Sequence, residues 1–71
     1  MLGLPRLREW RERAALSQAE LASSINSTQA TISRIERGFP ARPTTARRLA
    51  KALHVRPADL MADKPTWEDE A

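Results

Sequence analysis

The sequence predicts an all-α fold of five short helices, and three observations predict it. Apolar residues recur at helical spacing from Leu7 to Leu60. Ser17 and Thr28 stand ahead of two of these runs, while Asn, Gly and Pro follow them. No stretch alternates apolar and polar residues as a strand would. The 71 residues leave room for a single domain. A domain of this size buries only about 60% of its unfolded surface, so its helices must pack well.

Each helix follows from its local pattern. Pro5 suits a first-turn position and opens PRLREWRERAAL, in which Leu7, Trp10, Arg11 and Ala14 share one face. Ser17 followed by Glu20 at the third position on predicts a capping box and a second helix over 17–25, with Leu21, Ala22 and Ile25 turned inward. Asn26 tolerates the left-handed conformation better than most residues and marks a sharp corner. Thr28 caps a third helix over 28–37 whose inward residues are Ile32 and Ile35, with Gly38 just past its end. FPARP (residues 39–43) reads as a loop. Thr44 begins a fourth helix with Ala46, Leu49, Ala50 and Leu53 inward and Arg47, Arg48 and Lys51 outward. His54 and Val55 leave that helix, and Pro57 opens a short fifth one through Met61. The segment ADKPTWEDEA has the composition of a frayed tail, with Trp67 its one oddity. Leu16, Val55 and Leu60 complete the expected core.

The second and third helices are joined by about three residues and must cross steeply. Such a crossing needs a small residue at the contact, which is Ala22. It also needs a corner residue four positions later, which is Asn26, and inward apolar residues at helical period beyond it, which are Ile32 and Ile35. Together these describe a helix-turn-helix. The outward residues of the later helix include Gln29, Ala30, Ser33 and Arg34, all short or hydrogen-bonding and none a carboxylate. A helix lying in a DNA major groove needs that surface, because it must approach base edges and keep negative charge away from phosphate.

Composition narrows the function classes. The chain has no Cys and one His, so it offers no disulfide, no thiolate metal site and no metal-ligand spacing. It has no Gly-rich phosphate loop, and nothing pairs Ser, His54 and a carboxylate, so no enzyme is expected. No apolar run is long enough to cross a bilayer, and the N-terminus does not read as a signal peptide, which predicts a cytoplasmic protein. Residues 1–60 carry eleven Arg and Lys against five Asp and Glu, a charge of +6, whereas residues 61–71 carry −3. A basic body suits a polyanionic partner.

LSQAELA, STQATISRIERG, the RPTT that opens the fourth helix, and LAKALHVRPADL together resemble the Cro/C1 (Xre) helix-turn-helix family of phage repressors and small bacterial regulators. The resemblance spans residues 4 to 61, and one departure is Asn26, where the family usually has Gly. It implies an all-α, five-helix, lambda-repressor-like DNA-binding domain over residues 1–61, with the helix-turn-helix unit at 17–37 and an acidic tail at 62–71. It further implies base contacts from Gln29, Ala30, Ser33 and Arg34, with Gln suited to adenine, Arg to guanine and the Ala30 methyl to thymine. Gln18 would hydrogen-bond a phosphate and brace Gln29. Thr28, Thr31, Arg37, Arg42 and Thr44 match phosphate-side positions, and Arg11 and Glu36 match a structural ion pair. His54 stands where relatives often have Gly and is expected to end its helix rather than hold a ligand. No cofactor or metal is implied.

The expected function is sequence-specific binding of double-stranded DNA by a transcriptional regulator, in its simplest form a repressor. One module makes few base contacts, so a homodimer on a pseudo-palindrome is expected. Its contact would come from the last helix and tail, with Pro57–Met61 and Trp67. The alternative is an antitoxin-like module whose main partner is a protein held by Trp67 and the acidic tail.

Overall fold

The computed structural model describes residues 1–67, and its order is α1 (Leu7–Arg13), α2 (Gln18–Ser24), α3 (Gln29–Glu36), α4 (Pro43–Ala52) and α5 (Pro57–Met61). α4 starts one residue before the expected Thr44, because Pro43 takes the first helical position, where its missing N–H costs nothing. The Ser17–Glu20 capping box forms in both directions, at 3.0 Å and 2.9 Å. Thr28 Oγ1 accepts the Thr31 N–H at 3.3 Å.

One device ends the first four helices. Ala15, Asn26, Gly38 and His54 each take positive φ, at 59°, 59°, 109° and 58°. The residue after each then donates its N–H back across the turn: Leu16 to Arg11 O, Ser27 to Ala22 O, Phe39 to Arg34 O and Val55 to Ala50 O. This double-bonded helix terminus reverses the chain sharply and satisfies carbonyls that would otherwise be orphaned. Asn26 and His54 fill the corner positions the sequence assigns them, but Ala15 was not anticipated.

The core is a single cluster in which Leu7, Leu21, Ile32, Leu49 and Leu60 are fully buried. Leu4 and Ala41 join it from outside the helices, whereas Leu16 and Val55, expected inside, are only partly covered. Leu4 and Ala41 are brought in by a short antiparallel pairing that no periodicity announces: Leu2 and Ala41 exchange both backbone hydrogen bonds at 2.7 Å. No helix among the described residues is long and apolar enough to cross a membrane.

The expectation of a frayed tail from residue 62 is corrected as far as Trp67. That residue folds back so that its ring meets Trp10 edge to face, with centroids 4.7 Å apart, and Arg13 lies 4.9 Å above the Trp67 ring. Thr66 donates to Asp59 Oδ1 at 2.8 Å. The cause is physical: a large indole near the apolar side of α1 gains more by covering Trp10 than by staying in water. Residues 68–71, the acidic end of the tail, lie outside the described residues.

Candidate nucleic-acid interface

α3 turns Ile32 and Ile35 into the core and leaves Gln29, Ala30 and Arg34 exposed, with Ser33 and Thr31 half-buried beside them. Its one carboxylate, Glu36, points inward, where Arg11 grips it with Nε at 2.6 Å and Nη2 at 3.0 Å. The Glu36 side chain is only 5% exposed and that of Arg11 12%. The outer surface of the helix therefore carries no negative charge. Burial pushes the Glu36 carboxyl up, but hydrogen bonds from Arg11 and Gln18 outweigh it and hold the group below the ordinary glutamate range. The hydrogen bonds to Glu36, with the charges of Glu36 and Glu12, outweigh burial and raise the Arg11 guanidinium further.

Gln18 and Gln29 extend this pair to the surface. Gln18 Nε2 donates to Glu36 Oε1 at 3.1 Å, and Gln29 Nε2 approaches Gln18 Oε1 at 3.5 Å. The short α2–α3 corner at Asn26 lets first-turn residues of two helices stand side by side. Four residues separated in sequence thus form one row from α1 to the tip of α3.

The flanking residues fall into two groups. Thr28 and Thr31 are tied to each other, hydroxyl to hydroxyl at 3.0 Å, at the start of α3. Arg37 ends α3, Arg42 precedes α4 and Thr44 sits in its first turn, all three exposed. Arg34 and Arg42 line one open groove of about 480 Å³ along this edge, together with Phe39. Ala41 carries the loop, and its pairing with Leu2 fixes where Arg42 stands. Sequence reasoning missed both Leu2 and Phe39. A two-residue bridge has no period to detect, but Phe39, 58% exposed in a loop of Pro and Arg, is an apolar residue that local composition does not explain.

A two-helix unit with a tight corner, whose outer helix turns its one carboxylate inward and is flanked by cations, defines a DNA-binding module. The helix-turn-helix family model matches residues 7–60. The chain belongs to the Cro/C1-type (Xre) helix-turn-helix family, and it is a DNA-binding regulator of that type. The family is a DNA-binding regulatory one rather than an enzymatic one. A comparison with curated proteins finds no match.

Proposed function

We propose that the protein is a sequence-specific transcriptional repressor that acts as a dimer on a pseudo-palindromic operator. The observation that carries the proposal is the outer edge of α3, where Gln29, Ala30 and Arg34 are exposed while the helix's only carboxylate is withdrawn against Arg11. In this reading Gln29, Ala30, Ser33 and Arg34 meet base edges. Gln18, Thr28, Thr31, Arg37, Arg42 and Thr44 hold phosphates on either side. Arg11 and Glu36 keep α1 and α3 in register. Residues 1–61 act as the DNA-binding domain and the remainder as its tail.

A single module of this size supplies few base contacts, and pairing two of them about one helical turn apart multiplies specificity. The exposed side of α5, with Ala58 and Met61, is the surface we assign to that pairing. A protein-binding role for the tail is less favoured, because Trp67 already has an internal partner in Trp10.

Selection of binding sites from a random duplex library tests the reading. A symmetric motif is expected, bound tightly only above the concentration at which the protein dimerises in sedimentation. Arg34→Ala should then cost about 1–3 kcal/mol and relax one base position, while Arg42→Ala should weaken all sites alike and reduce the salt slope by about 1. Weak, uniform binding with no motif would overturn it.

A further inference from the structure

The row Arg11–Glu36–Gln18–Gln29 has a direction. A carboxylate only accepts hydrogen bonds, so Glu36 admits the amide of Gln18 in one orientation, NH₂ inward. Gln18 must then turn its carbonyl Oε1 outward, and only the NH₂ of Gln29 can meet it. Gln29 is left with its own Oε1 and one N–H for anything that approaches α3. An amide is nearly symmetric in shape, and what breaks the symmetry here is a charge two side chains away. Arg11 keeps that charge in place with two hydrogen bonds of its own to Glu36.

That outward pair has a complement among the bases. In the major groove adenine offers an N6 donor and an N7 acceptor, which match an Oε1 and an N–H side by side. Guanine offers two acceptors, O6 and N7, and would set O6 against the Gln29 carbonyl. If the amide of Gln29 were reversed, it would present two donors and suit guanine instead.

We propose that Glu36 is a positioning residue for base choice: by holding the Gln18 amide in one orientation, it commits Gln29 to adenine over guanine without itself touching DNA. The proposal rests on the reading above in which Gln29 meets a base edge, and it adds that the preference is set from the interior. Replacing Glu36 by Gln would supply both a donor and an acceptor at nearly the same place, so that the interior no longer holds Gln18, and through it Gln29, in one orientation.

The test starts from the selected operator. The base pair that loses its preference in Gln29→Ala is the one Gln29 reads, and binding is then compared between operators with A·T or G·C at that pair. Wild type should favour adenine by about tenfold or more, as a good bidentate contact does. Glu36→Gln, at a temperature where circular dichroism shows it folded, should reduce that ratio to about threefold or less, with the preference at the pair relaxed by Arg34→Ala unchanged. Gln18→Ala, which leaves the Arg11–Glu36 pair intact, should collapse the same ratio, and adding Glu36→Gln to it should change the ratio no further. This second variant carries the test if Glu36→Gln does not fold. A wild-type ratio in either variant, or an even loss of affinity at every position, overturns the proposal and leaves Glu36 as a packing element. If Gln29→Ala leaves every base preference intact, Gln29 reads no base, and the base-contact assignment falls together with this proposal.

Discussion

Around Gln18 and Gln29 the molecule is stitched by polar side chains at an open edge, whereas around Trp10 and Trp67 it is closed by aromatic faces. At the open edge the contacts lengthen outward, from 2.6 Å at Arg11–Glu36 to 3.5 Å at Gln29–Gln18, and the last amide keeps donors and acceptors unspent. At the closed end several polar groups are consumed internally. Trp10 Nε1 donates to the Asp59 carbonyl at 3.3 Å, Asp59 accepts the Arg56 N–H and the Thr66 hydroxyl at 2.8 Å each, and Arg6 N–H caps the Leu60 carbonyl. One region leaves hydrogen-bonding capacity for a partner to complete, and the other uses it to shut the fold. α1 belongs to both: Arg11 faces α3 and Trp10 faces α5.

The comparison breaks first at Arg11. Removing one member of a buried, hydrogen-bonded ion pair strands the other and costs about 3–5 kcal/mol. That is comparable to the entire stability of a small domain. Arg11→Met should therefore leave a large unfolded fraction at 25 °C in urea titration, and no operator binding. A variant that melts within a few degrees of wild type would show that Glu36 finds enough other donors at the edge. Trp67→Ala should do less and act on the other region alone. Losing the edge-to-face contact and the half-buried indole should cost about 2 kcal/mol, a fall in melting temperature of about 10 °C, with base preference intact. Loss of preference in that variant would mean that the closed end shapes the reading edge.

Acid weighs on both regions. Both depend on a carboxylate held below its ordinary range. At Glu36 burial opposes the shift and the Arg11 and Gln18 hydrogen bonds outweigh it. At Asp59 the Arg56 N–H and then the Thr66 hydroxyl are responsible. A carboxyl that is more acidic in the folded state than in the unfolded one stabilises the fold above its unfolded pKa, and that contribution is lost as pH falls through the folded one. Melting temperature should thus hold at neutral pH and drop below about pH 5. The two tryptophans both lie at the closed end. In Asp59→Asn the acid-induced fall in melting temperature, followed by their fluorescence, should be smaller than in wild type, and what remains is the Glu36 component.

The open edge was legible in the sequence because its rules are local. The Ser17–Glu20 box, the Asn26 corner, the Thr28 cap and the inward Ile32 and Ile35 each depend on neighbours within a turn or two. The Arg11–Glu36 pair was legible only through family resemblance, since nothing in spacing links residues 25 apart. The closed end was misread for the same reason. Trp67 sits among acidic and helix-breaking residues that locally spell a tail, and its partner Trp10 is far away in sequence. The Leu2–Ala41 bridge was equally invisible, being too short to have a period. Local rules end where the chain meets itself.

The smallest effect concerns a corner that both regions share in kind. Ala15, Asn26 and His54 all take positive φ without being glycine. A Cβ in that conformation costs about 1–2 kcal/mol, less for Asn, whose side chain tolerates it. Replacing Ala15 by Gly removes the cost but gives the unfolded chain more freedom, worth about 0.4–1 kcal/mol in the opposite direction. The balance favours Ala15→Gly by about 0.5 kcal/mol, a rise in melting temperature of a few degrees. At Asn26 the same two terms nearly cancel, so Asn26→Gly should leave the midpoint almost where it is. If the two variants changed stability equally, the tolerance of Asn for the left-handed corner would not explain why this chain can dispense with glycine in its helix-turn-helix, and the restraint would have to come from the packing of α2 on α3.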